Sequence, residues 1–77
     1  MFSVNDKVYF IRRVGYDDDG KTLWKVEKGV VIDEILDTYQ IQSLHTPKDY
    51  NVQSNKVFKT EQEAHSYLKY NGFKIIA

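Results

Sequence analysis

Apolar and polar residues alternate with a period of two along most of this chain, and change to a three-and-four spacing only near its C-terminal end. Lys7–Val14 is rich in strand formers, with Val8, Phe10 and Val14 on one face of an extended segment. Gly15–Lys21 reads as a loop in which Asp19-Gly20 supplies the turn. Leu23–Glu27 is a second strand with Trp24 and Val26 on one side, and Gly29 is expected to mark a bulge or kink. Val30–Leu36 is the most apolar run and predicts a central strand. Asp37 opens a turn into Tyr39–Leu44, whose alternation turns Tyr39 and Ile41 inward, and Tyr50–Ser54 alternates again after a loop over His45–Asp49. Ser54-Asn55 reads as a kink before Lys56-Val57-Phe58, and Phe73–Ile76 as a last short strand.

The break in period is sharp. Thr60 precedes Glu61-Gln62-Glu63 with the spacing of a capping box, in which the Thr60 hydroxyl accepts from the Glu63 backbone N–H and the Glu63 carboxylate reaches back to the N–H of Thr60. Ala64, Tyr67 and Leu68 then share one helical face, and Asn71-Gly72 supplies the stop, so a helix is predicted over about 61–70. Short strands with tight connections leave no room among them for parallel crossovers. The pattern therefore predicts a mainly β (α+β) chain: one domain over 1–77, a small antiparallel barrel of about five strands. The helix is expected to cap one open end of that barrel. Tyr39–Ser43 is the strand expected at an exposed edge.

Composition narrows the chemistry. The chain has no cysteine and only two separated histidines, His45 and His65, which leaves no disulfide and no usual zinc cluster. Its core must rest on aliphatic and aromatic burial, to which six Tyr, four Phe and one Trp contribute. Eleven basic and eleven acidic residues give zero net charge, unlike the basic excess of a dedicated nucleic-acid binder. No apolar run approaches a membrane span and the first residues do not read as a signal peptide, so a cytoplasmic, non-membrane protein is expected.

Asn5-Asp6-Lys7-Val8, Gly29-Val30-Val31-Ile32 and Tyr39-Gln40-Ile41 resemble the opening strand and the following strands of SH3-like small β-barrels, the superfamily of Tudor-type and KOW-type modules. Val57–Ala64 is similar to the F-x-T-x-x-E-A strand-to-helix ending of many small, uncharacterised bacterial and phage proteins. Asn5 stands where the family often has Gly. The glycine-rich loop of KOW modules and the Tyr-rich motif and Trp pair of peptide-binding SH3 domains are absent. The resemblance implies an SH3-like fold and, through its phage members, an accessory protein that binds a host protein.

Two sets of side chains are candidates for binding. Tyr16, Trp24, Tyr39 and Tyr50 are aromatics of the type enriched at protein interfaces. Arg12, Arg13, Lys21, Lys25 and Lys28 fall in the first two strands and their loop, where a shared outer face with Trp24 would suit single-stranded nucleic acid. Asp17-Asp18-Asp19-Gly20 lacks the alternating ligands and distal Glu of a calcium loop, and reads as a solvated turn. Ser43 and His45 stand close in sequence without an activating context. The expectation is a non-enzymatic protein-interaction module with no cofactor or metal. Its alternatives are a nucleic-acid-binding barrel and a self-assembling structural subunit, a homodimer included.

Overall fold

The computed structural model describes residues 1–75. Five strands, β1 (Lys7–Tyr16), β2 (Thr22–Ile35), β3 (Thr38–Ser43), β4 (Asp49–Gln53) and β5 (Val57–Phe58), are followed by helix α1 (Glu61–Tyr70) and a short strand β6 (Lys74–Ile75). The first five pair antiparallel in the order β4-β3-β2-β1-β5, and β6 lies parallel to β2 at Leu23 and Trp24. The helix supplies the crossover that this parallel pair needs. Ile76, expected in the last strand, lies outside the described residues.

Tyr39–Ser43 is not an edge: β3 is hydrogen-bonded to β2 on one side and β4 on the other. The path ends at β4 and β5, β6 is a further edge paired with β2 alone, and among the described residues no ladder joins β4 to β5, so the sheet is open where a closed barrel was expected. It is nevertheless strongly curled, because Val52 of β4 and Val57 of β5 meet Val8, Phe10, Val31, Tyr39 and Ile41 in one apolar cluster. Phe2 closes this cluster edge-to-face on Tyr39, and its backbone N–H donates to the Tyr39 hydroxyl at 3.1 Å.

A second cluster fills the opposite face. Ala64 and Leu68 of α1 pack on Ile11, surrounded by Tyr9, Trp24, Val26, Phe58, Tyr67 and Phe73. The helix therefore covers the outer face of β1 and β2 instead of capping a barrel end. The alternation explains this arrangement: Val8 and Phe10 point to one face and Tyr9 and Ile11 to the other, so β1 is apolar on both sides.

The two strands expected on either side of Gly29 form one continuous β2. Gly29 pairs with Val8 and with Ser43 in regular register. The register shifts fall elsewhere, between Arg13 and Gly15 and between Val31 and Asp33. The predicted kink at Ser54-Asn55 is a single 3₁₀ turn, Ser54–Lys56.

The helix follows its sequence signals closely. The Glu63 N–H donates to the Thr60 hydroxyl at 3.1 Å, while the Glu63 carboxylate accepts from that hydroxyl rather than from the Thr60 N–H. At the other end Gly72 has φ 69°, Phe73 N–H donates to Leu68 C=O and Gly72 N–H to Lys69 C=O, a complete Schellman motif. Thr60→Ala is expected to cost about 1 kcal/mol, read as a lower urea midpoint at unchanged slope.

The β2–β3 hairpin turns through Leu36, an exposed leucine at φ 55°. A left-handed conformation costs a residue with Cβ about 1–2 kcal/mol. Leu36→Gly removes that strain at the expense of greater unfolded-chain entropy. The net expectation is a gain of about 0.5–1 kcal/mol, or a few degrees in Tm by calorimetry.

Candidate functional site

β1 and the edge strand β4 approach each other without pairing, and the gap between them holds a cleft of about 240 Å³. Arg12, Arg13 and Trp24 line one side, Tyr50 and Gln53 the other, and Lys56 of the 3₁₀ turn the end. Two tethers fix its floor. Tyr50 packs its ring on Phe10 at 5.7 Å between centroids, and the Arg12 guanidinium lies over the same Tyr50 ring at 5.0 Å.

Arg12 is held from the other side by Glu27, its neighbour on the same face of the β1–β2 pair. Arg12 Nε donates to Glu27 Oε1 at 2.7 Å, its Nη2 lies 2.7 Å from the same oxygen, and the Lys25 ammonium lies 3.8 Å from it. Glu27 is only 1% exposed, and its Oε2 accepts from the Ser43 hydroxyl at 3.2 Å. Burial pushes the Glu27 carboxyl up. The hydrogen bond and charge of Arg12, with Ser43 and Lys25, more than reverse this and leave it below the usual carboxylate range. The Glu27 hydrogen bond in turn raises the Arg12 guanidinium above its ordinary value. Arg12, Arg13, Lys25 and Lys56 against Glu27 leave this region with three net positive charges in a chain whose total is zero.

The expected site residues are distributed as follows. Arg12 and Lys25 share the Glu27 face, whereas Lys28 lies on the opposite face with its ammonium 5.8 Å from the Tyr9 ring centroid. Arg13 is exposed, and Lys21 sits in the β1–β2 turn. The five cations therefore do not form a single face. Of the four aromatics, Trp24 and Tyr50 meet at the cleft; Tyr39 is core, and Tyr16 is exposed at the far end of β1. Both cleft aromatics are already engaged: Trp24 is stacked on Phe73 through one face at 5.0 Å, and Tyr50 lies against Phe10 and beneath Arg12.

Lys56 and Glu27 belong to the site and were not among the candidates. Lys56 is remote in sequence from β1 and carries no local signal. Glu27 did carry one, because it alternates with Gly29 and Val31 on an inward-facing strand and so requires a buried partner.

The remaining chemistry is structural. The Ser43 hydroxyl donates to Glu27 and accepts from the backbone N–H groups of His45 and Thr46, so no imidazole activates it. Asp17 closes its own turn: Oδ1 accepts from the N–H groups of Asp19 and Lys21, and Oδ2 from the Lys74 ammonium at 2.6 Å. Lys74 and these backbone donors hold the Asp17 carboxyl below its ordinary value. Among the described residues no group of three or more His, Asp or Glu side chains could hold a metal ion, and no helix is long and apolar enough to cross a membrane.

Two wider hollows flank β5. One, of about 660 Å³, sets Lys7 and Lys59 against Asp6 and Glu63, so its charges cancel. The other, of about 620 Å³, lies between Phe58 and the Tyr67–Tyr70 face of α1. No family model, no curated protein and no solved structure matches this chain.

Proposed function

We propose that the chain is a non-enzymatic protein-interaction module on an SH3-like frame, and that the Arg12–Arg13–Lys56 cleft takes an extended, acidic segment of a protein partner. The observation that carries this reading is the open edge of β4 beside the cations. An edge strand offers a row of backbone donors and acceptors to an incoming strand. Carboxylates on that strand then meet Arg13 and Lys56, which no buried acid neutralises. The order β4-β3-β2-β1-β5, with β5 returning to β1, is the feature that favours the SH3-like frame. A phage or mobile-element accessory role rests on the resemblance alone.

A second reading, single-stranded nucleic acid, draws on the same three positive charges. Two features disfavour it. Sequence-tolerant strand binding uses free aromatic faces, whereas Tyr50 lies against Phe10 and Arg12 and one face of Trp24 is already stacked on Phe73. Glu27 also holds a negative charge beneath Arg12.

Anisotropy with a labelled peptide of alternating Glu and Val tests the proposal. Binding is expected to weaken at least about tenfold, about 1.4 kcal/mol, in the Arg13→Ala, Lys56→Ala double variant. A thymidine oligonucleotide that binds more tightly than the peptide at equal salt would turn the assignment to nucleic acid.

A further inference from the structure

The β2–β3 hairpin tip has a character opposite to the cleft. Asp33, Glu34, Ile35, Leu36 and Asp37 are consecutive and all exposed, so two bare apolar side chains stand between three carboxylates with no cation among them. Leu36, 92% exposed, also holds the strained positive φ that orients the tip. Elsewhere on this strand the alternation hides its apolar residues: Val31 is fully buried and Val30 half-buried. The tip is thus the point where an apolar pair is presented to solvent inside an acidic collar.

The cleft is the complement, with aromatic and aliphatic floor beneath Arg12, Arg13 and Lys56. The two features are also neighbours. Gln53 lines the cleft and, with Ser54 and Asn55, borders the hollow beside Asp37 and Thr38. Complementary patches side by side on one surface can be matched twice by a single two-fold axis, which closes a dimer without leaving either patch free.

We infer that the hairpin tip Asp33–Asp37 of one copy docks into the Arg12–Arg13–Lys56 cleft of a second copy, and reciprocally. The inference rests on the cleft being a protein-binding site, and adds that a second copy is an occupant that competes with any other acidic partner. Ile35 and Leu36 fill the floor, and the collar carboxylates meet the cations at the rim. Because the rim pairs are partly solvated, the contact weakens with salt, as exposed charges more than a Debye length apart cease to attract. Self-association and partner binding are therefore mutually exclusive, and dilution releases the cleft.

Light scattering coupled to size exclusion tests this at about 0.02 M and about 1 M ionic strength. The wild-type chain is expected to be a concentration-dependent dimer at low salt and to shift toward monomer at high salt. Two charge-reversed variants are decisive: Glu34→Lys with Asp37→Lys at the tip, and Arg13→Glu with Lys56→Glu at the cleft. Each alone is expected to be monomeric, and an equimolar mixture to regain a heterodimer, because both contacts between unlike chains are again attractive. Leu36→Gly guards against a folding artefact, since it is expected to melt higher yet dimerise less. A wild-type monomer at about 1 mM, or a dimer indifferent to these changes, overturns the inference. The tip variant is expected to be monomeric with its cleft intact, so its binding of the Glu-Val peptide leaves the binding reading standing whether or not the wild-type chain dimerises, while a tip variant that does not bind the peptide refutes that reading.

Discussion

Gly29→Ala is expected to destabilise the chain by about 3 kcal/mol, at the upper end of the range for overpacked cores. Gly29 has ordinary extended geometry, so the effect does not come from a positive φ. It comes from space. A Cβ at this position would collide with Ile41 Cγ2 and would lie 2.8 Å from the Gln42 carbonyl oxygen and 3.0 Å from Phe10 Cε1. The first contact is with a side chain that can shift, but the second is backbone of the neighbouring strand and cannot move without breaking the β2–β3 ladder. Gly29 sits where β2 is paired on both sides at once, with Val8 and Ser43, and close against the Phe10 ring. In a domain of this size about 3 kcal/mol is a large share of total stability, and Tm should fall by roughly 12–24 °C. Calorimetry or urea melting checks it. An unchanged midpoint would show that the strand separation at Gly29 is wider than described.

The sequence revealed what depends on near neighbours. The helix from Glu61 to Tyr70 was readable because its cap, its apolar face and its Gly72 stop all lie within a dozen or so residues. The strands were readable from alternation, and Val8, Phe10, Tyr39 and Ile41 are buried as that pattern requires. Pairing was harder, because it joins residues far apart. Tyr39–Ser43 has the same alternating pattern whether it lies at an edge or between two strands, and only the position of β4 decides. Gly29 carries the composition of a bulge, yet its role is to let Ile41 and Phe10 come close, which local sequence does not report.

The candidate site divides along the same line. Arg12, Arg13, Trp24 and Tyr50 were visible as residue types, and the structure brings these four to one cleft. The parity of β1 and β2 already separated Arg12 and Lys25 from Lys28, since residues an odd number apart on a regular strand face opposite ways. Tyr50 reaches the cleft through the β3–β4 pairing that sets it opposite Ile41, and Lys56 through the three residues of 3₁₀ turn that carry the chain from β4 toward β5. Asp17 gives the converse case. Its loop looked like a free acidic turn, but Lys74, fifty-seven residues away, ties it to the chain's end.

Glu27→Gln is the second substitution expected to have a large effect, and it connects the fold to the cleft. Removing one member of a buried ion pair typically costs about 3–5 kcal/mol, because the remaining charge is left without a partner. Here the Arg12 side chain is 25% exposed and can recover some hydration, so about 2–3 kcal/mol is expected. The pH dependence identifies the cause. The folded-state pKa of Glu27 lies below its unfolded value, so the unfolded chain binds the proton more readily. Its contribution is therefore fully present above the unfolded glutamate pKa of about 4.3 and is lost as pH falls through the lower folded value. In urea melts from neutral to acid pH, the wild-type chain should lose stability over that window, and Glu27→Gln should start lower and fall less steeply. A double-mutant cycle with Arg12→Ala should return a coupling energy of at least about 1 kcal/mol. Parallel acid limbs in the two proteins would remove Glu27 as the source. The same variant frees Arg12 from its inner partner while removing the negative charge beneath the cleft. If it still folds, the Glu-Val peptide should bind it at least as tightly as it binds the wild-type chain, and weaker binding would mean that Glu27 holds Arg12 in the geometry the partner needs.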